Sequence, residues 1–340
     1  MKGALLVNLG SPDSTSVKDV KKYLDEFLMD KRVIDTPYLL RAFIVKGIIL
    51  NTRPKKSAEA YKKIWWKDGS PLIVLSKRLT KKVQSISDIP VELAMRYGNP
   101  SIKNGIQKLA NKGITEILLI PLYPQFAMAT TETIVVLAKK IIKKQFPHIK
   151  LTHVPAFYNN EDYIEVISKS IQKELEKTKP EHLLFSYHGV PERHINKSDI
   201  TKSHCKIDGS CCNTPSPAHE FCYRHQCIET SKLIAEKLNL NEPNYSISFQ
   251  SRLGRDPWLQ PYTNKTIDNF AKNGIKNLAV VTPAFVSDCL ETLEEIGMEA
   301  KHSFIKHGGE EFTTIPCLND QDDWADTLSK WINNWNKQSN

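Results

Sequence analysis

Long hydrophobic runs are scarce in this 340-residue sequence, and their absence limits what the protein can be. The longest apolar stretch, Pro37 to Leu50, is interrupted by Arg41 and Lys46. It falls short of the roughly 18 to 20 residues that span a bilayer. The run Ala4 to Leu9 is short and ends in a turn, so we interpret it as a buried first strand rather than a signal peptide. We therefore expect a cytoplasmic protein that does not cross a membrane.

The sequence also lacks the glycine-rich motifs of nucleotide-binding proteins. Neither a Gly-x-Gly-x-x-Gly pattern nor a Walker-type loop is present, which argues against a dinucleotide or nucleotide cofactor. No nucleic-acid motif accompanies the formal net charge of +9, so we expect no nucleic-acid partner. With 40% hydrophobic and 25% charged residues and no low-complexity tract, the composition is that of an ordinary globular protein.

Short apolar runs alternate with segments of helical periodicity, which is typical of a parallel sheet built from βα units. The fold class is therefore α/β, and the length favours about two domains at roughly 150 residues each. Four strands in each of the two domains would account for all the short apolar runs. The predicted strands are Gly3 to Leu9, Pro90 to Arg96, Glu116 to Leu122, Lys150 to Pro155, His182 to Tyr187, Asn244 to Gln250, Asn277 to Thr282 and Phe312 to Pro316.

Unusual residues cluster just after the predicted strands. In open α/β sheets ligands bind at the carboxyl edge, so several such loops together predict a shared ligand cleft. The loops are Asn8 to Pro12, Arg96 to Gly98, Tyr123 to Gln125, His188 to Pro191 and Ser251 to Trp258.

Two of these regions carry groups suited to proton or metal chemistry. His188 leaves a buried strand and is followed by Gly189 and Pro191, and an imidazole can take a proton near neutral pH or bind a metal. Further on, Asp288 and Glu291 precede Glu295 at spacings that place all three on one face if the segment is helical. Each feature alone is also compatible with an ordinary strand-end histidine or a solvated acidic stripe.

Five of the seven cysteines fall within one loop after His188. Stable disulfides are disfavoured in a chain without an export signal, so the loop indicates an iron–sulfur cluster, a zinc site or free redox thiols. The five are Cys205, Cys211, Cys212, Cys222 and Cys227.

Three motifs in this order make the sequence similar to the ferrochelatases. They are Tyr187-His188-Gly189-x-Pro191, Gln250-Ser251-Arg252-x-Gly254-x-x-Pro257-Trp258, and Ser287-Asp288-x-x-Glu291-Thr292-Leu293. The opening Leu6 to Pro12, the Gly69-Ser70-Pro71-Leu72 turn, Arg96-Tyr97 and Tyr123-Pro124-Gln125 also match, so the resemblance covers nearly the whole chain.

The resemblance implies two Rossmann-like lobes that share a porphyrin cleft. It implies an N-terminal lobe at 1–156 with a lip over the porphyrin mouth and a C-terminal lobe at 157–320 with a cysteine-rich insertion at 196–227. A helix at 321–340 would pack back across the lobes. The lip would be the segment from Val33 to Trp66, and its apolar run, Pro37 to Leu50, is typical either of a peripheral membrane contact or of a buried helix.

The resemblance also implies roles for individual residues. His188 and Glu291 would form the catalytic pair that handles Fe²⁺ and protons, while Asp288 and Glu295 would extend a polar path to solvent. The residues expected to bind the porphyrin are Leu9, Arg96, Tyr97, Tyr123 and Trp258. At Cys289 many family members have a histidine, which sets this chain apart along the iron path.

The implied reaction is insertion of Fe²⁺ into protoporphyrin IX with release of two protons, and the expected assembly is a monomer or weak homodimer. Coproporphyrin stays open as an alternative substrate. Two other functions also stay open: a chelatase for another tetrapyrrole or metal, and a binding protein without turnover. Some bacterial members carry a [2Fe–2S] cluster on an insertion at this place. Such a cluster needs four thiolates. The preferred ligands are Cys205, Cys211, Cys212 and Cys222, with Cys227 as a substitute.

Overall fold

A computed structural model describes residues 1–252 and 256–338. Gly254 of the Gln-Ser-Arg-x-Gly motif lies outside the described residues. The strands are β1 Lys2–Asn8, β2 Val91–Met95, β3 Glu116–Pro121, β4 Lys150–His153, β5 His182–His188, β6 Tyr245–Gln250, β7 Asn277–Val281 and β8 Glu311–Thr314. Each predicted strand is confirmed, with bounds that differ by one or two residues.

Helices connect consecutive strands. They are α1 Val17–Leu28, α2 Tyr38–Ala42, α3 Leu50–Ile64, α4 Pro71–Ile86, α5 Ile102–Asn111, α6 Thr133–Gln145, α7 Glu161–Thr178, α8 Glu192–Ser198, α9 Tyr223–Lys237, α10 Thr263–Lys272, α11 Lys301–Lys306 and α12 Asp322–Lys337. Within the described residues, three segments are π-helical, namely Phe43–Ile49, Met128–Glu132 and Glu291–Ala300.

Side-chain caps fix where several of these helices begin. The oxygen of Ser16 accepts the Asp19 N–H at 3.1 Å, and Ser101 and Asn160 cap α5 and α7 in the same way at 3.3 Å. Such caps satisfy N–H groups that the first helical turn leaves without a partner.

The chain divides into two compact units. The first contains Met1–Leu122, Met128–Pro155 and the described chain from Asn319 onwards, and the second contains Tyr123–Ala127 and Ala156–Leu318. In the first unit the parallel strand order is β2-β1-β3-β4, and α12 packs on α4, where the Ser329 hydroxyl donates to the Ile86 carbonyl at 2.8 Å.

The second unit has the parallel strand order β6-β5-β7-β8. Its central strand β5 is buried from His182 to Tyr187 and reaches intermediate exposure only at His188. The connections leave β5 in opposite directions, first to β6 and later to β7, so the carboxyl end of β5 is a topological switch point. The α/β class with two four-stranded parallel sheets is therefore confirmed.

Among the residues that the structure describes, no helix is long and apolar enough to cross a membrane. The lip segment does not form one buried helix. It continues from α2 through the π-helical Phe43–Ile49 into α3, and several of its large apolar side chains are exposed, Leu39 by 80% and Phe43 by 66%.

Candidate active site

His188 is the last residue of β5, at the switch point of the second sheet. It pairs in register with Gln250, the last residue of β6, and the Gly189 N–H donates to the Gln250 carbonyl at 2.7 Å. The loops after both strands therefore start from fixed positions. An isolated bridge between Pro191 and Trp258 ties those two loops together a few residues later.

The imidazole of His188 is oriented by its own loop. Its Nδ1 lies 2.7 Å from the Gly189 carbonyl oxygen, and because a carbonyl can only accept, Nδ1 carries the proton in this contact. The Nε2 of the neutral ring is then left with its lone pair for a proton or a metal ion. The rings of Trp258 and Phe285 lie beside the imidazole, each with its centroid at 6.3 Å.

A buried hydroxyl and amide network holds the neighbouring strand end in place. The Ser186 hydroxyl donates to Gln250 Oε1 at 2.8 Å and lies 2.9 Å from the Thr263 hydroxyl. The other end of the Gln250 amide donates to the main-chain carbonyl of Glu291 at 3.2 Å. Gln250 thus positions the start of the acidic segment relative to β5 and β6.

The acidic segment differs from the expected regular helix. Helical structure begins at Leu290 and is π-helical over Glu291–Ala300, so Asp288 lies in the preceding turn and does not share a helical face with Glu291 and Glu295. The Asp288 carboxylate instead accepts the Thr292 hydroxyl at 2.8 Å. This contact joins two side chains, and no side chain among the described residues caps the start of the π-helical segment.

Glu295 is the acidic group most closely engaged with its surroundings. Its carboxylate accepts the Ser251 N–H at 2.9 Å and also the Ser251 hydroxyl. Burial raises the pKa of Glu295, as does the charge of Glu291, whereas Ser251 and the charge on protonated His188 lower it, and the net shift is upward. Glu295 therefore links His188 and Glu291 electrostatically.

Cys289, where a histidine was expected in many relatives, is buried beside Glu291. Burial, together with the charge of Glu291 and a hydrogen bond to it, raises the pKa of this thiol well above its ordinary value. Its main-chain N–H donates to the Thr292 hydroxyl at 3.0 Å. The thiol is held neutral next to the carboxylate.

Arg96 and Tyr97 follow β2 in the first unit, where both contact Asp30. The guanidinium reaches the Asp30 carboxylate at 2.5 Å and the Thr133 hydroxyl at 2.7 Å, and the Tyr97 hydroxyl donates to Asp30 at 3.0 Å. Leu9 lies nearby, because its carbonyl accepts the Tyr97 N–H at 2.8 Å. Gly10 permits this approach, since a Cβ there would lie 1.9 Å from the Tyr97 carbonyl oxygen.

Asp30 is the centre of this network, and we predict that it matters for stability. Burial alone would raise its pKa, but hydrogen bonds from Thr133 and the Arg32 N–H, and the charge of Arg96, lower it below its ordinary 3.8. We expect Asp30→Asn to lower the free energy of unfolding by about 3 kcal/mol at neutral pH, because Arg96 loses its counter-charge. Urea unfolding followed by circular dichroism measures this.

A group with a depressed folded pKa stabilises the protein above its unfolded pKa, and this contribution disappears as the pH falls. The difference between wild type and Asp30→Asn should therefore shrink below about pH 4. Asp13→Asn removes an exposed partner of Lys22 and is the matched control, expected to change stability by less than about 1 kcal/mol. Equal effects of the two substitutions would contradict the central role of Asp30.

Tyr123 and Trp258, the two expected aromatic contacts, belong to the second unit. Tyr123 is buried just after β3, and Trp258 is half-buried beside His188. The structure thus brings Trp258, Glu291 and Glu295 to the His188 region, while Leu9, Arg96 and Tyr97 form a group of their own in the first unit.

The cysteine-rich loop folds over the start of α9. The Asp199 carboxylate accepts the N–H groups of His204 and Cys205, each at 2.9 Å, and anchors the first part of the loop. The Cys222 thiol, together with burial, raises the pKa of its neighbour Cys212. The Lys206 N–H donates to Cys211 Sγ at 3.1 Å.

Cys227 is fully buried in α9, with Tyr223 one helical turn before it. Within residues 1–252 and 256–338, no three or more His, Cys, Asp or Glu side chains converge as ligands of one metal ion. All five cysteines of this region are free thiols.

Reasoning from sequence missed several residues that position this site. Gln250 and Ser251 were noted only as parts of a motif, and Asp30 and Arg224 were not singled out. A polar residue at the end of a buried strand is a usable signal for Gln250. No local pattern marks Asp30, because its partners Arg96 and Thr133 are distant in the sequence.

Comparison with known proteins identifies the family. A ferrochelatase family model matches residues 1–335. A ferrochelatase of Opitutus terrae is 47% identical over 337 residues, covering 98% of this chain and 97% of the relative. A ferrochelatase of Stutzerimonas stutzeri is 48% identical over 326 residues, with 95% of each chain covered.

Solved structures show the same fold at low sequence identity. The chelatase SirB of Bacillus subtilis with Fe³⁺ superposes with a TM-score of 0.54 at 10% identity, covering 97% of this chain and 93% of that one. The sirohydrochlorin chelatase SirB of Bacillus subtilis subspecies spizizenii in complex with cobalt gives 0.53 at 11% identity, with 99% and 96% covered. These structures support the fold, and the match over residues 1–335 together with the nearly full-length relatives establishes that the chain belongs to the ferrochelatase family.

Proposed function

We propose that this protein inserts Fe²⁺ into protoporphyrin IX to give protohaem, with release of two protons, as the terminal step of haem biosynthesis. The observation that carries the proposal is the geometry of His188, whose Nε2 is left as an acceptor at the switch point of the second sheet. Family membership supplies the reaction class.

Metallation requires three events and no redox step. Fe²⁺ must lose bound water, two pyrrole N–H groups must lose their protons, and the flat macrocycle must bend to expose its nitrogen lone pairs. The four ring nitrogens then bind the metal, so the protein has to accept protons and hold the ring.

His188 is the proposed first acceptor of pyrrole protons. The hydrogen bond from Nδ1 to the Gly189 carbonyl fixes the ring and stabilises the imidazolium that forms when Nε2 is protonated. The rings of Trp258 and Phe285 restrict its rotation.

Glu291 is proposed to assist proton or metal traffic, with Glu295 as the next acceptor on the way to solvent. The upward-shifted pKa of Glu295 suits a carboxylate that takes a proton and releases it again. Asp288, in the turn before the helix, completes the proposed polar path.

Ser251→Ala tests the role of Glu295 through pH. Because the Ser251 hydroxyl lowers the pKa of Glu295, its loss should raise that pKa further. If ionised Glu295 is needed, the acidic limb of the pH profile of kcat moves to higher pH. Ser303→Ala, which removes a hydroxyl bonded to Asp268 in the same unit, should leave the profile unchanged. An unmoved acidic limb in Ser251→Ala would exclude Glu295 from the proton path.

The proposed porphyrin contacts follow the family pattern. In the second unit Tyr123 and Trp258 offer aromatic surface to the macrocycle. In the first unit Leu9 and Arg96 are the proposed contacts. Tyr97 is fully buried with its hydroxyl on Asp30, which supports a role in holding that carboxylate beside Arg96.

Anaerobic Fe²⁺ insertion, followed by loss of porphyrin fluorescence, tests the proposed reaction. Turnover with protoporphyrin IX at a higher kcat/KM than with coproporphyrin is expected. A preference for coproporphyrin would correct the substrate, and no turnover with either would favour another tetrapyrrole or a binding role.

A [2Fe–2S] cluster on Cys205, Cys211, Cys212 and Cys222 is the proposed cofactor. Such a cluster takes two thiolates on each iron, and the donor set fits, because all four cysteines are free and Cys211, Cys212 and Cys222 all influence the pKa of Cys205, as neighbouring groups do. Cys227, one helical turn after Tyr223, is the substitute ligand. When bound, the cluster supplies a cross-link between the loop and α9. Anaerobically purified protein without cluster absorption bands would contradict this proposal.

The lip segment supports a peripheral contact with the inner face of a cytoplasmic membrane. Its exposed apolar side chains, Tyr38, Leu39, Leu40, Phe43 and Ile48, accompany the basic residues Lys46 and Arg53. Exposed apolar residues beside basic ones favour an anionic lipid surface. We propose a cytoplasmic monomer or weak homodimer that binds the membrane through this segment.

A further inference from the structure

Arg224 is a buried cation at the start of α9. Only 6% of its surface is exposed, and its two terminal nitrogens donate to the main-chain carbonyls of Ile207 and Lys206. The third nitrogen, Nε, is buried without a hydrogen-bond partner. A positive charge in the first helical turn is also opposed by the helix dipole. The position is therefore costly unless negative charge lies nearby.

Within the described parts of the chain, no carboxylate forms an ion pair with Arg224. The exposed Asp208 interacts with it electrostatically, but solvent screens that charge. The guanidinium directly contacts the two carbonyls and Cys211 Sγ. Nη2 lies 3.8 Å from Cys211 Sγ, and Cys212 is the next residue of the same turn. Burying an unpaired cation is unfavourable by several kcal/mol, so neutral thiols alone do not explain the arrangement.

The loop is shaped around the guanidinium. Gly209 adopts a φ of +85°, and a Cβ on it would lie 3.6 Å from the Arg224 Cζ. The next turn starts there, because the Cys212 N–H donates to the Gly209 carbonyl at 3.0 Å. The turn that presents Cys211 and Cys212 is thus packed directly against Arg224.

We propose that Arg224 is a positioning residue for the iron–sulfur cluster: its guanidinium donates to cluster thiolates and balances their negative charge. This inference rests on the proposed [2Fe–2S] cofactor. A cluster held by four thiolates is anionic when oxidised and gains one further negative charge when reduced. Hydrogen bonds to ligand sulfur and nearby charge set both the retention and the potential of such centres.

Arg224→Gln should therefore change the cluster rather than only the fold. Anaerobic potentiometric titration is expected to show a more negative midpoint potential, since the reduced state loses its counter-charge. Loss of the cluster to an iron chelator, followed by visible absorption, should be about tenfold faster, as for other outer partners of metal ligands. Arg224→Lys keeps the charge and should recover most of the potential.

Lys206→Gln is the matched control, because it removes an exposed positive charge from the same loop. It should leave potential and chelator kinetics near those of wild type. Arg224→Gln is also made in a background with both Cys222→Ser and Cys227→Ser, in which fewer than four loop thiolates remain and the ligand set cannot be completed. A purely structural arginine lowers the melting temperature equally in both backgrounds, whereas a charge-balancing one lowers it mainly in the cluster-containing protein.

The possible outcomes distinguish a failure of the role of Arg224 from a failure of the proposed cofactor or of the proposed reaction. A wild-type protein that holds a cluster, with unchanged potential and cluster loss in Arg224→Gln, overturns the role of Arg224 alone. A wild-type protein without a cluster overturns the cofactor and this inference together. Metallation by the same preparation is measured in parallel, so failure of the proposed reaction is seen independently.

Discussion

His188→Ala is expected to lower kcat for Fe²⁺ insertion by about 10²- to 10⁴-fold, the range that a positioned proton acceptor contributes. The physical reason is that Nε2 is the acceptor that the Gly189 contact leaves free at the end of β5. Without it, pyrrole protons must pass to water or to a carboxylate of lower basicity. Anaerobic kinetics followed by loss of porphyrin fluorescence measures kcat. Fluorescence quenching on binding, in the absence of iron, measures the porphyrin affinity.

The porphyrin affinity should stay within about threefold of wild type, because the substitution removes an interaction of the transition state rather than of binding. His302→Ala, an exposed histidine on α11 of the same unit, controls for the loss of an imidazole and should retain full activity. Near-normal turnover of His188→Ala would remove this residue from the proton pathway.

Glu291→Gln is expected to lower kcat by about 10²-fold, through loss of a carboxylate that receives protons or guides the metal. The amide keeps the shape, so the Gln250 hydrogen bond to the main-chain carbonyl of residue 291 should survive. The change in kcat therefore reports the loss of the carboxylate charge rather than a change in local structure. The same substitution also removes a charge that raises the pKa of Glu295, so that pKa should fall and the acidic limb of the kcat profile should move to lower pH.

Glu299→Gln is the matched control for this prediction, because Glu299 is exposed on the same π-helical segment. It should leave both kcat and the pH profile unchanged. Equal losses in Glu291→Gln and Glu299→Gln would point to the helix rather than to the carboxylate, and an unchanged Glu291→Gln would sink the proposed pair.

The order of the strands along the chain could be predicted from local pattern alone. Runs such as Leu183 to Tyr187 are apolar over most of their length, because a central parallel strand is covered on both faces. The loops that follow such strands meet at one sheet edge, so the expectation of His188 at a ligand edge needed no tertiary information. Family motifs then supplied the reaction.

The geometry of the acidic segment could not be predicted in the same way. Spacing placed Asp288, Glu291 and Glu295 on one α-helical face, yet the chain is π-helical from Glu291 and Asp288 lies before it. The hydrogen bond between Thr292 and Asp288 and the anchor on Gln250 accompany this geometry, and Gln250 lies about 40 residues away along the chain. Local periodicity carries no information about such an anchor.

Local pattern along the chain is sufficient for the α/β class, the positions of the strands and the presence of a histidine, a carboxylate segment and a thiol-rich loop at strand ends. Which groups engage one another follows only from the folded chain: Glu295 with Ser251 and His188, Asp30 with Arg96, and Arg224 with the cysteine loop. This difference arises because burial and local main-chain pattern are short-range properties that the sequence encodes directly. Hydrogen bonds and charge pairs between distant segments depend on packing that only the folded chain specifies.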